Sequence, residues 1–424
     1  MPSFIDPCRL LFIDTETQSF DCGVRGDVTR CGVYAYRHTA RVVLITYAIG
    51  IDGEPGAVLL PEQTPFDPSL VPTSAGRVFA PRCDTDTAWR DVRFGLGALP
   101  VDFYNAYSAV YRGEMHAVAW NSQFDRVMMN QERGLLKLRV EQWLDAMFQA
   151  MAANLPGKLD MAGQALRLGG KDDRGKGLIQ QLAGPDAPAP SEAPDLWAPY
   201  VEYGLRDVAL LRDIFLGTRP LPVSEWEDLW VSERINDRGV MVDTHFAARA
   251  AALATAFQEQ ANDQVEQLTN GRLTSVKQHA AMADYVYQRL ENHAEAREIL
   301  VRRYDEDSED GLVPAALSLD RYRVEQLIAY FDDLLRSSPL SADAQQLYDL
   351  LVLRQFGASA TPGKFQKELD YLDPADARLK GQYVANGAQQ TGRFSSRGVQ
   401  IHNLTREALK SEAGLIEAIN ETEL

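Results

Sequence analysis

The run RLLFID, from Arg9 to Asp14, is apolar until it ends on a carboxylate, the pattern of a buried strand. A second run, RVVLITYAIGI, and a third, GAVLLP, follow, the third after the turn signal DGEPG. AVAWN reads as a short strand feeding the helix SQFDRVMMNQERG. Strands interleaved with helices of this length predict a mixed sheet covered by helices, an α/β domain. The proline- and alanine-rich segment GPDAPAPSEAPDLWAP, 184–199, reads as an ordered loop or spacer before a helix at about 199–216.

After TRPLPVSEW the period changes. Ala250, Leu253, Ala254, Phe257, Ala261, Val265 and Leu268 keep helical spacing, as do Met282, Tyr285, Val286 and Leu290, then Leu327, Phe331, Leu334 and Leu335. Residues 224–370 are therefore expected to be mainly α. Beyond them QYVANGAQQTGRFSSRGVQIHNL has short β-like pieces broken by glycine and serine, and SEAGLIEAINETEL is a polar helical pattern. No internal repeat is visible.

A length of 424 residues with 45% hydrophobic content allows two or three domains. The net charge of -17 excludes a uniformly basic nucleic-acid coat, although between Arg354 and Lys410 nine Lys and Arg face five Asp and Glu. Cys8, Cys22, Cys31 and Cys83 form no C-x-x-C pair and are expected to be free thiols in a reducing cytoplasm. The N-terminus lacks a basic stretch followed by an apolar core, and no run reaches the ~20 apolar residues a bilayer demands. No membrane partner is expected.

Carboxylates change the picture most. On a strand, residues i and i+2 share a face, so Asp14 and Glu16 in LLFIDTET point one way and Thr15 the other. Asp125 lies at the start of the helix after AVAWN, four residues beyond Asn121, where it can lean over the sheet edge. Tyr203 and Asp207, one helical turn apart, share a face. Four clustered carboxylates stay ionised only if cations neutralise them, and two hard divalent ions such as Mg²⁺ or Mn²⁺ suit oxygen ligands. Two ions roughly 4 Å apart activate a water and steady the leaving oxygen of an in-line phosphodiester displacement. Asn121 could instead cap its helix. Trp120 and Phe124 read as core, and His38, His116 and the other histidines show no ligand spacing.

The ordered set D-x-E, N-x-x-x-D, Y-x-x-x-D resembles the 3′-5′ exonuclease domain of bacteriophage-like family A DNA polymerases, in its tyrosine DEDD subclass. The stretch DAMFQAMAANLPGKLDMAGQALRLGGKDDRGKGLIQQL resembles the phage segment between the second and third motifs. The resemblance implies a ribonuclease H-like fold, metal ligation by Asp14, Glu16, Asp125 and Asp207, and a water aligned by Tyr203. Position 202, a histidine base in a related class, is Glu202 here.

Thr391–Leu404, TGRFSSRGVQIHNL, resembles the start of the family's palm, which meets primer-template DNA; Arg393, Ser395, Ser396, Arg397 and Asn403 are the positions carried over. Arginine, serine and asparagine suit phosphate and sugar oxygens. RLTSVKQHAAM resembles a thumb segment, giving Ser275, Lys277 and Gln278 as backbone contacts or, alternatively, a helix start capped by Ser275. LVLRQFGASATPGKF resembles the thumb-to-palm helix end, retaining Arg354 and Lys364, with Ser359 where the family carries lysine. Together with Asn121, these are the expected DNA contacts.

The implied domains are a 3′-5′ exonuclease at 1–218, a helical thumb at 219–380 and an incomplete palm at 381–424. The family's aspartate-bearing palm strand, fingers and His-Asp-Glu turn do not appear before Leu424. The expectation is a metal-dependent exonuclease acting on single-stranded 3′ ends and primer-template DNA, without polymerisation unless a separate palm-and-fingers chain supplies it. Two alternatives stand beside it: a stand-alone DEDD exonuclease acting on RNA, and a non-catalytic primer-template clamp of a split polymerase.

Overall fold

The computed structural model describes residues 5–60, 74–79, 99–132, 134–169, 175–302, 316–357, 363–388, 391–403 and 412–422. Cys83, Ser359 and residues 170–174 of the inter-motif segment lie outside them. Chain packing forms two compact units, Met1–Val242 with Lys367–Glu407, and Asp243–Gln366 with Ala408–Leu424.

In the first unit the central strand β1 (Leu10–Ser19) continues past RLLFID through both motif carboxylates. It pairs antiparallel with β2 (Ala40–Ile49), its register shifting between Glu16 and Thr17. With β3 (Gly56–Leu59), β4 (Arg77–Phe79), β5 (His116–Ala119) and β6 (Trp143–Asp145) it forms one sheet in the order β4-β3-β2-β1-β5-β6. β1 and β5, β5 and β6, and β3 and β4 run parallel, so the sheet is mixed, as the alternation of strands and helices predicts.

Both faces of β1 are covered along Leu10–Ile13, which is why that stretch is uninterruptedly apolar. Leu11 and Ile13 pack with residues of α1 (Val28–Tyr36), α2 (Val101–Arg112) and α3 (Ser122–Gln131), including Tyr34, Phe103, Val127 and Met128. Leu10 and Phe12 pack with residues of α4 (Ala146–Ala152), α5 (Leu159–Ala165) and α7 (Pro194–Gly217), the helix following α6 (Gly175–Leu182). Each such fully buried large side chain contributes about 1.5–3 kcal/mol.

The helix expected at about 199–216 begins at Pro194, carrying Pro199 inside it. Trp197, 3% exposed, explains the early start: its indole Nε1 donates to Pro188 O at 2.9 Å, tying the first turn to the loop. Further along α7, a Cβ at Gly204 would lie 2.9 Å from Thr46 Cγ2. The helix therefore approaches β2 as closely as a bare backbone allows, bringing its polar residues near Asp14, the partner of Thr46 in β1.

These packing boundaries differ from limits drawn at 218 and 380. α8 (Val223–Arg238) begins the expected helical region, yet Trp226 is buried beside Phe148 and Phe215, with ring centroids 5.8 Å and 6.5 Å away. The change of hydrophobic period marks a change of element, whereas the unit boundary depends on which core receives the apolar face. The chain later returns to this unit as a small sheet of Leu372–Asp373, Arg378–Leu379 and Val240–Met241, and as the hairpin Tyr383–Ala388 with Arg393–Ser396.

The returning segment is anchored by Asp373, whose carboxylate is fully buried among Arg37 Nη2 and His38 Nε2 at 2.8 Å each and Lys380 Nζ at 2.9 Å. Burial pushes its pKa up, but the Lys380 hydrogen bond, the Ala375 N–H and the Arg37 charge outweigh this and hold it at about 2. A depressed folded pKa contributes stability that is present above the unfolded value of about 3.9 and is lost as pH falls through about 2. All six tryptophans lie within residues 1–242, so tryptophan fluorescence reports on this unit. Its urea midpoint should fall between pH 4 and pH 2, and Asp373→Asn should lower the neutral-pH midpoint while flattening that fall; an unchanged acid profile in the variant would contradict this assignment.

The second unit is helical, as the periodicity predicts: α9 (Thr244–Leu268), α10 (His279–Arg289), α11 (Ala294–Leu300), α12 (Arg321–Ser337) and α13 (Ala342–Gly357). Val265, Met282, Val286, Leu327, Phe331, Leu347 and Leu350 share its core. The polar helical pattern at the end of the chain is the helix Glu412–Glu421, which joins this unit through Arg249 Nε donating to Ile419 O at 3.0 Å. Among the described residues, no helix is long and apolar enough to cross a membrane.

Candidate metal centre and nucleic-acid contacts

β1 places Asp14 and Glu16 on the face covered by α7, and Thr15 on the face covered by α3, because side chains alternate along a strand. Thr15 turns to Asp125: its backbone N–H and Oγ1 both donate to Asp125 Oδ1, at 3.0 and 2.7 Å. Burial, and then the Asp14 charge, push the Asp125 pKa well up. From α7, Tyr203 donates to Asp207, and its own pKa is raised by burial first, then by the charges of Asp207, Glu16 and Asp14. Tyr203 and Asp207 thus meet Asp14 and Glu16 on the α7 side of the middle of β1, while Asp125, held by Thr15 from the α3 side, feels the Asp14 charge; Asp125 and Asp207 are each under 5% exposed.

Tyr200, one turn before Tyr203, was not singled out by sequence; its Oη donates to Glu16 Oε2 at 2.9 Å. Its i, i+3 relation to Tyr203 was the signal that could have found it. Glu202 is half-buried and salt-bridged to the exposed Arg206.

Among the described residues, no three Asp, Glu, His or Cys side chains form a preassembled metal-ligand group. The donor chemistry nevertheless fits a hard divalent cation: every donor is a carboxylate, and Asp125 sits desolvated beside Asp14 with its pKa raised. The Asp14 charge beside a desolvated Asp125 is what a cation would neutralise.

Asn121 occupies the position before α3 in a left-handed conformation, φ 64°, and makes no side-chain cap. Asp145 takes that role, accepting from Ser122 N at 2.7 Å while also capping α4 through Phe148 N at 2.9 Å. Its position between the strand residues WL and the helical AMFQAMA was the legible signal for such a cap. Asn121 Oδ1 instead accepts from Arg397 Nη2 at 3.1 Å, so two residues expected at DNA meet each other. Trp120 donates from its indole to Gly157 O, and Phe124 packs near Tyr36, consistent with a core role for both.

On the hairpin and the segment after it, Arg393, Arg397 and Asn403 are exposed, while Ser395 and Ser396 are half-buried. Within the second unit, Lys277 is exposed, Ser275 Oγ accepts from Lys277 N, and Gln278 Oε1 accepts from Thr274 N and Ser275 N. These bonds close the turn leading into α10, which supports a local structural role for Ser275 and Gln278. Lys364 is half-buried. Arg354 is turned inward at 5% exposure, donating to Val276 O at 2.7 Å and to His279, which ties α13 to that turn. A backbone contact to DNA expected of Arg354 is therefore replaced here by an internal one.

No family model matches the chain. The POL domain of Pol1 from M. smegmatis, solved in complex with DNA primer-template and dNTP, aligns with 98% of this chain and 55% of its own length at 10% identity and a TM-score of 0.44. The DNA polymerase of Bacillus phage SP02 is 24% identical over 415 residues, 95% of this chain and 52% of that protein. The chain therefore spans about half the length of the curated relative it matches, and over nearly all of its own length it is a homologue of a phage DNA polymerase.

Proposed function

We propose that this chain carries the 3′-5′ exonuclease of a family A DNA polymerase, removing 3′-terminal nucleotides from DNA as 5′-monophosphates. The observation that carries the reading is the gathering of Asp14, Glu16, Tyr203 and Asp207 beneath α7, with Asp125 held beside Asp14 by Thr15. The similarity to a phage DNA polymerase supplies the polynucleotide context. In this reading residues 1–218 form a ribonuclease H-like nuclease, 219–380 a thumb and 381–424 the start of a palm, acting in the host cytoplasm.

Asp14, Glu16, Asp125 and Asp207 would hold two Mg²⁺ or Mn²⁺ ions, which when bound supply charge neutralisation and water activation. Thr15 fixes Asp125 through two hydrogen bonds to one oxygen. Tyr203, a buried phenol whose pKa is raised by burial and by the charges of Asp207, Glu16 and Asp14, would orient the attacking water. Exposed Arg393, Arg397 and Lys277 supply phosphate contacts that position the strand without reading bases.

The test is incubation of the full chain with 3′-labelled single-stranded DNA and matched RNA, in Mg²⁺ or Mn²⁺ and in chelator. Metal-dependent release of deoxynucleoside 5′-monophosphates supports the reading; preference for RNA favours the stand-alone ribonuclease, and no release beyond the chelator control overturns it. Tyr203→Phe should slow hydrolysis by about 10²-fold with little change in metal affinity, because water orientation alone is lost. Loss of metal affinity in step with rate would make Tyr203 a packing residue.

A further inference from the structure

Two tyrosines of α7 meet the carboxylate cluster. Tyr200 is 0% exposed, its ring parallel to that of Tyr203 at 2° and 6.4 Å, and the Trp197 ring packs edge-on at 5.7 Å. The helix and these ring contacts hold both phenols in one orientation, yet their hydroxyls serve different acids: Tyr203 donates to Asp207 and Tyr200 to Glu16 Oε2.

We infer that Tyr200 is a positioning residue for Glu16, its hydroxyl fixing the orientation in which the carboxylate meets a divalent cation. The inference rests on the nuclease reading above. Glu16 stands on β1 directly before the register shift between Glu16 and Thr17, where the ladder with β2 is interrupted. A glutamate side chain can populate several rotamers, and a donor from α7 favours those whose oxygen reaches it. Hydrogen-bond partners behind a ligand orient it and raise its effective affinity, and their loss costs about 10–100-fold in metal affinity or activity. A residue that merely filled space would be replaced by phenylalanine without such a loss, since the ring contacts remain.

The experiment compares the wild-type chain, Tyr200→Phe, Glu16→Gln and the double variant. Mn²⁺ binding is followed by electron paramagnetic resonance, and cleavage of 3′-labelled single-stranded DNA is titrated with Mn²⁺. Tyr200→Phe should weaken Mn²⁺ binding by about 10-fold or more and raise the Mn²⁺ half-saturation of cleavage by the same factor. Its unfolding midpoint should remain close to wild type, as should its DNA affinity in chelator. Adding Tyr200→Phe to Glu16→Gln should have much less effect than in the wild type, because both changes act on one carboxylate.

Wild-type Mn²⁺ affinity in Tyr200→Phe overturns the inference and leaves the nuclease reading standing. So does a double variant whose losses multiply in full, since Tyr200 would then act elsewhere. A wild-type chain that neither binds Mn²⁺ nor cleaves overturns the nuclease reading, and the role of Tyr200 with it.

Discussion

Replacing Asp14 and Glu16 together by alanine is expected to reduce metal-dependent hydrolysis of single-stranded DNA by on the order of 10³-fold or more, a barrier increase of at least about 4 kcal/mol. The two acids stand on the α7 face of β1, and Glu16 also accepts the Tyr200 hydroxyl. Their removal takes away half of the proposed ligand carboxylates. It also relieves Asp125 and Tyr203 of the negative charges that raise their pKa values, so the fold gains rather than loses electrostatic compatibility. Both side chains are only half-buried, so no large cavity results. Hydrolysis should therefore collapse while DNA affinity in chelator stays near wild type and the urea midpoint falls only modestly, by the about 1–3 kcal/mol that the buried Tyr200 hydroxyl loses with its acceptor. Cleavage that persists within tenfold of wild type would place the metal site elsewhere.

The second large effect is on stability, at Arg126. This residue follows Asp125 on α3, is 5% exposed, and bridges to α8: its Nη1 lies 2.8 Å from Asp237 Oδ2 and its Nη2 3.0 Å from Glu233 Oε2. Tyr34 donates to Asp237, Gln123 donates to Glu233 at 3.1 Å, and Asn236 bonds both Glu233 and the backbone of Tyr383. One guanidinium thus pairs with two carboxylates at the junction of α1, α3, α8 and the returning hairpin. Arg126→Met leaves Glu233 and Asp237 facing each other without a cation. Breaking a buried pair from one side costs about 3–5 kcal/mol, and the low end is expected because the Asp237 side chain is 34% exposed. Urea unfolding followed by tryptophan fluorescence should show a lowered midpoint. Arg126→Met combined with Glu233→Gln and Asp237→Asn should recover part of the loss, since the repulsion is removed. A single variant within 0.5 kcal/mol of wild type would mean that water already screens this cluster.

Much of this site was legible because its residues lie at short, periodic spacings. Asp14 and Glu16 two apart on a strand, and Tyr203 and Asp207 four apart on a helix, follow from local geometry alone. Tyr200 belongs to the same helical spacing and was within reach. The strand period puts Thr15 on the opposite face, but its double hydrogen bond to Asp125 spans 110 positions and has no local signature. Arg354 shows the converse. A basic residue in a segment resembling a DNA-facing helix reads as a phosphate contact, whereas the fold spends its guanidinium on Val276 O and His279.

By itself the sequence determined the elements: the buried strands, the switch to helical period from about residue 224, and the carboxylates spaced to share a face of one strand or one helix. Only the tertiary structure decided which core each element serves. α8 joins the sheet unit because Trp226 finds Phe148 and Phe215, and the segment around Asp373 returns to that unit because Arg37, His38 and Lys380 neutralise its carboxylate. The reason is physical: periodicity is set by bonds within a few residues, while burial and charge pairing depend on partners far along the chain.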